Sequence, residues 1–257
     1  MISVVTRVQH PVLYQRMKMS ASNHAWSEID FLSEIDTVGL PKISETYNRL
    51  GSESKADVIV FAHDDAVFMT PGWDELLLQE FKNNDVEVLG VVGTDKYEGG
   101  RLFSAGWPHA KGKYVCHVDG RPYVKVYSKR EDFVQVKAVD PFFMAVRGDH
   151  FERVKFSPEL DELWFYDLDF CLRSRVGVID LLMGHHKPPH LVGVYPPGMK
   201  PIEAYWKDFH EKHGLSNVAP SDDRCALATM EDFLKLGHDV IVSQFENKYM
   251  RGSDAKN

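Results

Sequence analysis

Five apolar residues, Val58-Ile59-Val60-Phe61-Ala62, run straight into His63-Asp64-Asp65, and no other segment constrains the architecture as strongly. A short unbroken apolar run with polar residues at its end is the pattern of a strand covered on both faces, as in a parallel sheet flanked by helices. Working outward, Ile2 to Thr6, Ile29 to Ile35 and Val86 to Gly93 read as strands of the same kind. Between them Pro11 to Ser20, Ile43 to Leu50 and Trp73 to Asn83 read as helices, the last introduced by Thr70 as cap and Pro71 as a helix-start residue. The alternation predicts an α/β fold with a mixed, mainly parallel sheet.

Further along, Leu102 to Tyr127 is rich in Gly, Pro and aromatic residues and reads as hairpins or a flap, and Val139 to Val146 returns to a buried strand. Leu168, Cys171 and Leu172 share one helical face, predicting a helix from Tyr166 to Val176 that Gly177 stops. Val178 to Met183 reads as a strand, followed by the loop Gly184 to His190. After Pro196-Pro197 the pattern becomes helical, over Pro201 to His213 and Thr229 to Arg251. The expected organisation is therefore a domain over residues 1–195 and a helical C-terminal extension over 196–257.

Composition narrows the function. The chain has 257 residues, 30 Lys plus Arg against 38 Asp plus Glu, and a net charge of −8, so no broad basic field collects nucleic acid. No apolar run approaches the roughly 18 residues of a membrane span. Three scattered cysteines fit neither a disulfide framework nor a CxxC metal site. The amino-terminal residues read as a strand and not as a signal peptide, and the expected location is the cytoplasm.

Ligands of open α/β sheets bind beyond the carboxyl ends of strands, where Asp64 and Asp65 fall. Adjacent carboxylates suit a divalent cation that neutralises phosphates; the alternative, that they only end the strand in a turn, does not by itself call for two acids after five apolar residues. In Trp164-Phe165-Tyr166-Asp167-Leu168-Asp169, the two aspartates lie two apart on a predicted helix and cannot address one site. Asp169 and Arg173 fit an i, i+4 pair, while Asp167 is either a helix cap or an acid projecting into a cleft. His185, His186 and His190 occupy a proline-stiffened loop and are candidate metal ligands or ordinary surface residues. The chain lacks GxxxxGK[ST], a GxGxxG after the first strand, HExxH and GxSxG, which removes the usual support for P-loop kinases, Rossmann dehydrogenases, zincins and α/β-hydrolases.

In order and spacing these motifs resemble the GT-A fold glycosyltransferases, in particular the family-two inverting enzymes, over about residues 1 to 195. The resemblance implies a GT-A, Rossmann-like sheet. It makes His63-Asp64-Asp65 the counterpart of the DxD-type motif, with Asp64 and Asp65 holding Mn²⁺ or Mg²⁺ and the diphosphate of a nucleoside-diphosphate sugar. The segment Tyr166 to Arg173 matches an ED-x-D-L-x-x-R motif at both aspartates and the arginine, with Tyr166 in place of the glutamate. Asp167 is then the general base. His190 completes the metal shell, with His186 as the alternative. Thr6, Arg7 and Asp36 fall where the nucleotide is held, and Asp140, Trp164 and Tyr166 where acceptor or sugar is met.

The implied reaction is transfer of a sugar to an acceptor hydroxyl with inversion, Asp167 removing the hydroxyl proton. Burial beside Phe165 and Tyr166 is expected to raise the Asp167 pKa modestly. The acceptor is left open among a glycan, a lipid-linked sugar, a protein and a modified nucleic acid base. Competing readings are a retaining transferase, a nucleotide- or carbohydrate-binding module without catalysis, and a metal-dependent phosphohydrolase.

Overall fold

The computed structural model describes residues 1–35, 42–96, 108–118, 120–159, 165–185, 209 and 225–254. The first half contains β1 (Ile2–Val8), α1 (Pro11–His24), β2 (Ile29–Ile35), α2 (Ile43–Glu53), β3 (Val58–Ala62), β4 (Ala66–Phe68), α3 (Trp73–Asn83), β5 (Val88–Gly90), β6 (Val92–Thr94), β7 (Ala110–Val118) and β8 (Arg121–Val126). Then follow β9 (Phe133–Val136), β10 (Ala138–Val139), β11 (Phe143–Arg147), α4 (Gly148–Val154), α5 (Tyr166–Leu172), β12 (Val176–Ile179), β13 (Met183–His185), β14 (Ala226–Thr229), α6 (Met230–Leu236) and α7 (His238–Asp254).

The main sheet has the order β2-β1-β3-β11-β5-β12-β9. β1 runs parallel to β2 and β3, and β12 parallel to β5, while β11 is inserted antiparallel between β3 and β5. The apolar run of β3 is covered on both sides, as its sequence requires. Val58, Val60 and Ala62 pack into one core with Met17 of α1 and Trp73 and Leu77 of α3. Ile59 and Phe61 pack into the other with Tyr47 of α2, Phe151 of α4 and Phe170 of α5. This alternation is the period of two made visible.

A second sheet, β10-β6-β7-β13-β4, is extended by β8 on β7 and β14 on β8. The single run expected over Val86 to Gly93 is divided between the two sheets at Val91. The switch is tight: a Cβ on Gly93 would lie 2.3 Å from the Ala138 carbonyl oxygen, and one on Gly90 2.5 Å from Val139. The strand expected over Val178 to Met183 is likewise two strands, β12 and β13, one in each sheet. Helix α5 ends at Leu172, earlier than expected, and Gly177 lies inside β12 where a Cβ would meet the Phe133 ring at 2.3 Å.

The C-terminal segment contributes a strand as well as helices. β14 pairs antiparallel with β8, and Val115, Val124 and Val126 of that sheet bury against Ala226, Ala228, Ile241 and Val242. The helix expected over Thr229 to Arg251 is broken at Gly237, whose φ of 82° lies in the region open to glycine. The helix expected over Pro201 to His213 lies outside the described residues apart from Phe209, whose ring stacks on Phe165 at 4.5 Å. Among the described residues no helix is long and apolar enough to cross a membrane.

One helical glycine tests the packing under the site. A Cβ on Gly51 of α2 would lie 2.4 Å from the Phe151 ring, itself wedged 5.1 Å from Phe61. Ala in place of Gly gains about 1 kcal/mol of helix propensity, but overpacking a core costs about 1–3 kcal/mol. Gly51→Ala is expected to lower the melting temperature, by roughly 2–4 °C for each net kcal/mol lost, in a calorimetric scan.

Candidate active site

The candidate residues gather at one edge of the main sheet because of strand direction. Thr6 and Arg7 sit in the C-terminal part of β1, and His63, Asp64 and Asp65 follow the carboxyl end of β3. β11 runs the other way, with Phe143 opposite Ala62, so Asp140 and Phe142 precede it at the same edge. The His63 amide donates to the Phe142 carbonyl at 3.1 Å and fixes that register.

A group of three metal-type side chains forms where the two sheets meet. β13 pairs with β4 so that His185 lies opposite Ala66, just past the acidic turn. The ligand atoms of His63, Asp65 and His185 all lie within 4.8 Å of one another. His185 Nε2 is 3.3 Å from Asp65 Oδ1 and 3.5 Å from His63 Nδ1, and His63 Nδ1 is 4.0 Å from Asp65 Oδ1. Donors bound at about 2.0–2.2 Å to one ion stand roughly 3–4 Å apart, so this set fits a divalent cation. Phe142 stacks on the His185 ring at 4.9 Å with 5° between the planes, which sets the imidazole's orientation.

Asp64 is engaged differently. Its Oδ2 accepts from the Gln9 amide at 2.7 Å and the His10 amide at 2.6 Å, where β1 turns into α1. Burial pushes its pKa up and the two amides partly offset this. Thr6 is fully buried, and its hydroxyl oxygen has no hydrogen-bond partner among the described residues.

The second acidic group lies at the start of α5. Phe165, immediately before it, is a non-glycine residue at φ 67°, a conformation that is costly unless its surroundings impose it. The stacking of Phe209 on Phe165 is part of that restraint. Asp167 follows in the first turn, partly buried, and burial followed by repulsion from Asp140 raises its pKa to about 7. The modest rise expected from the sequence is thus a shift large enough to make it a base near neutrality. Asp140 Oδ1 accepts from the Phe142 amide at 3.1 Å, which holds that carboxylate in place. Asp169, by contrast, is fully buried and accepts from Arg173 Nη2 at 2.7 Å and Nε at 3.0 Å.

Tyr47 and Tyr166 are buried with ring centroids 5.8 Å apart, the first in the field of Asp64 and the second in that of Asp167 and Asp140. Both hydroxyls are pushed far above their ordinary pKa, chiefly by burial, so both remain neutral donors. Asp36, Trp164, His186 and His190 lie outside the described residues. Within the described residues the metal-type group takes His185 and His63 with Asp65. The signal for His185 is its place two residues after Met183 on the same face of a strand, which a loop reading of the histidine cluster conceals.

A sequence model of a glycosyltransferase-like family matches residues 3–193. No curated protein matches the chain. Among solved structures, S. aureus TarS 1-349 in complex with UDP-GlcNAc superposes with a TM-score of 0.52 at 12% identity, covering 76% of this chain and 61% of that one. GalNAc-T7 with UDP, GalNAc and Mn²⁺ gives a TM-score of 0.52 at 10% identity, over 72% of this chain and 44% of that one. The chain therefore spans about three fifths of the TarS structure, and at these identities the likeness carries the GT-A fold alone.

The Asp167 environment has a thermodynamic consequence. An unfolded aspartate titrates near 4, whereas in the fold this carboxyl titrates at about 7. Between those values the folded chain holds a proton that the unfolded chain has lost, so stability falls as pH rises through that window. Asp167→Asn, permanently neutral, is expected to melt above the parent at pH 8 by on the order of 2–4 °C. The difference should narrow toward pH 4 in the same scans.

Proposed function

We propose, on the premise that the chain belongs to the glycosyltransferase-like family, that it transfers a sugar from a nucleoside-diphosphate sugar to an acceptor hydroxyl with inversion. The observation that carries this reading is one sheet edge holding both a His63-Asp65-His185 group and a carboxyl, Asp167, that titrates at about 7. UDP in the complexes of TarS and GalNAc-T7 makes a UDP-sugar the first donor to test.

His63, Asp65 and His185 would hold the cation, and two imidazoles with one carboxylate favour Mn²⁺ over Mg²⁺, which prefers oxygen ligands. A divalent cation held there supplies charge neutralisation for the departing nucleoside diphosphate. Thr6 and Arg7 at the end of β1 face the nucleotide, the buried Thr6 hydroxyl being a polar group that a ligand would satisfy. Asp167 takes the proton of the acceptor hydroxyl as that oxygen attacks the anomeric carbon. With a pKa of about 7 it is a far stronger base than an ordinary aspartate while remaining largely ionised at pH 7.5–8. A single displacement with the base on the acceptor side inverts the anomeric configuration. Asp140 keeps the Asp167 pKa high, and with Tyr166 it stands on the acceptor side of the base.

Nucleotide sugars should be screened for nucleoside diphosphate release with Mn²⁺, with Mg²⁺ and with EDTA. Release is expected with Mn²⁺, to be weaker with Mg²⁺ and abolished by EDTA. His185→Ala and Asp65→Ala should each weaken Mn²⁺ binding at least about tenfold. Unchanged Mn²⁺ binding in both variants would refute the metal assignment, and release of inorganic phosphate instead would favour the phosphohydrolase.

The rate should depend on the unprotonated base, falling about tenfold per pH unit well below pH 7 and levelling above it. Asp140→Asn is expected to move that limb to lower pH, because one of the two causes raising the Asp167 pKa is removed. A profile without a limb near neutrality, or a product with retained configuration, would count against Asp167 as the base of an inverting transfer.

A further inference from the structure

We infer that Asp64 is a positioning residue that latches the β1–α1 corner to the metal-binding turn, and that it is neither a metal ligand nor a direct nucleotide contact. The inference rests on the function proposed above. Asp64 lies between two members of the metal-type group in sequence, yet the group that assembles contains His63, Asp65 and His185. Its Oδ2 takes both the Gln9 and His10 amides, at 2.7 and 2.6 Å.

Those two amides stand directly ahead of a helix that lacks a cap of its own. His10 occupies the N-cap position of α1 and its side chain makes no capping hydrogen bond, while Pro11 opens the helix. The carboxylate of Asp64, 7% exposed, accepts the N-cap amide of His10 from another loop, the bond that the acid of a capping box makes from within the helix, and takes the preceding Gln9 amide as well. Hydrogen bonds to a charged acceptor are the strong kind, and a negative charge at a helix N-terminus is further favoured. Thr6 and Arg7 lie on the same strand just before this corner. The latch therefore sets the nucleotide-facing end of β1 at a fixed distance from His63 and Asp65.

One oxygen accepts both amides, so the amide oxygen of asparagine can replace it, whereas alanine cannot. Three readouts on Asp64→Asn and Asp64→Ala separate the roles: Mn²⁺ affinity by electron paramagnetic resonance, UDP affinity by calorimetry at saturating Mn²⁺, and hydrogen exchange at the Gln9 and His10 amides. Asp64→Asn is expected to keep both affinities within about threefold of the parent and both amides protected. Asp64→Ala is expected to keep Mn²⁺ affinity, lose protection at both amides and lose about tenfold in UDP affinity, the size of a lost hydrogen bond to a charged group. A tenfold loss of Mn²⁺ affinity in Asp64→Asn would overturn the inference in favour of a metal ligand. Loss of UDP affinity in Asp64→Asn with the amides still protected would overturn it in favour of direct nucleotide contact. If Asp64→Ala does not fold, the asparagine variant decides alone. A parent that binds neither Mn²⁺ nor UDP would refute the proposed function instead, while the exchange measurement would still report on the latch.

Discussion

The antiparallel pairing of Phe143–Arg147 against Val58–Ala62 is the constraint on which the site depends. In an all-parallel sheet every strand would deliver only its carboxyl end to the ligand edge. Reversing one central strand delivers an amino end there as well, so Asp140 and Phe142 arrive beside His63. Phe142 then stacks on His185, and Asp140 stands near enough to Asp167 to raise its pKa. One reversed strand thus connects the metal-type group to Asp167. The backbone ladder behind it carries five paired positions, from Phe143 with Ala62 to Arg147 with Val58, so the register has little freedom to slip.

Concentrating acids at a low-dielectric edge is costly, and each carboxylate there meets that cost differently. Asp65 has an imidazole at 3.3 Å, Asp64 has two backbone amides, and Asp169 has a guanidinium. Asp167 has none of these among its causes of stabilisation except local backbone amides, and its pKa rises to about 7. That unresolved cost is what makes it suited to proton transfer, because a fully compensated carboxylate is a poor base at neutral pH. Asp167 and Asp169 are close in sequence and opposite in environment, as the helical spacing requires.

Much of the architecture was legible in the chain. The five-residue run before His63 and the strand-helix alternation report local burial, which short windows capture. The cap expected at Thr70 is not formed: Gly72 at φ 69° holds the N-cap position of α3 with no side-chain cap, and Thr70 Oγ1 accepts from the Leu182 amide at 2.7 Å instead, a partner that no short window contains. Asp167 as distinct from Asp169 was also readable, since helical geometry separates the two without tertiary information. The division of Val88–Gly90 and Val92–Thr94 between two sheets was not, because the break at Val91 leaves the apolar pattern unbroken. It depends on Gly90 and Gly93 allowing Val139 and the Ala138 carbonyl to approach, a contact with residues some 50 positions away. His185 was hidden for a similar reason. Its role comes from pairing opposite Ala66, across more than a hundred residues, while three neighbouring histidines look alike in sequence.

The C-terminal segment acquires a structural purpose from the same sheet. His185 sits on β13, an inner strand of the second sheet, and the rigidity of that sheet decides how well the imidazole is held. One face of β7 and β8 buries Val115, Val124 and Val126 against Ala226, Ala228, Ile241 and Val242 of the C-terminal segment. Without that cover three valines would lie open to water, at roughly 1.5–3 kcal/mol for each side chain fully buried. β7 already lies between β6 and β13, β8 pairs on it, and β14 pairs in turn on β8 and widens the sheet by one more strand. Arg130 and Lys113 join the arrangement through Asp180, and Asp239 at the start of α7 accepts from the Arg130 amide at 3.0 Å. The strand and helices after residue 225 therefore support a metal-type ligand that precedes them by 40 positions, which ties the segment to the site's geometry whatever else it binds.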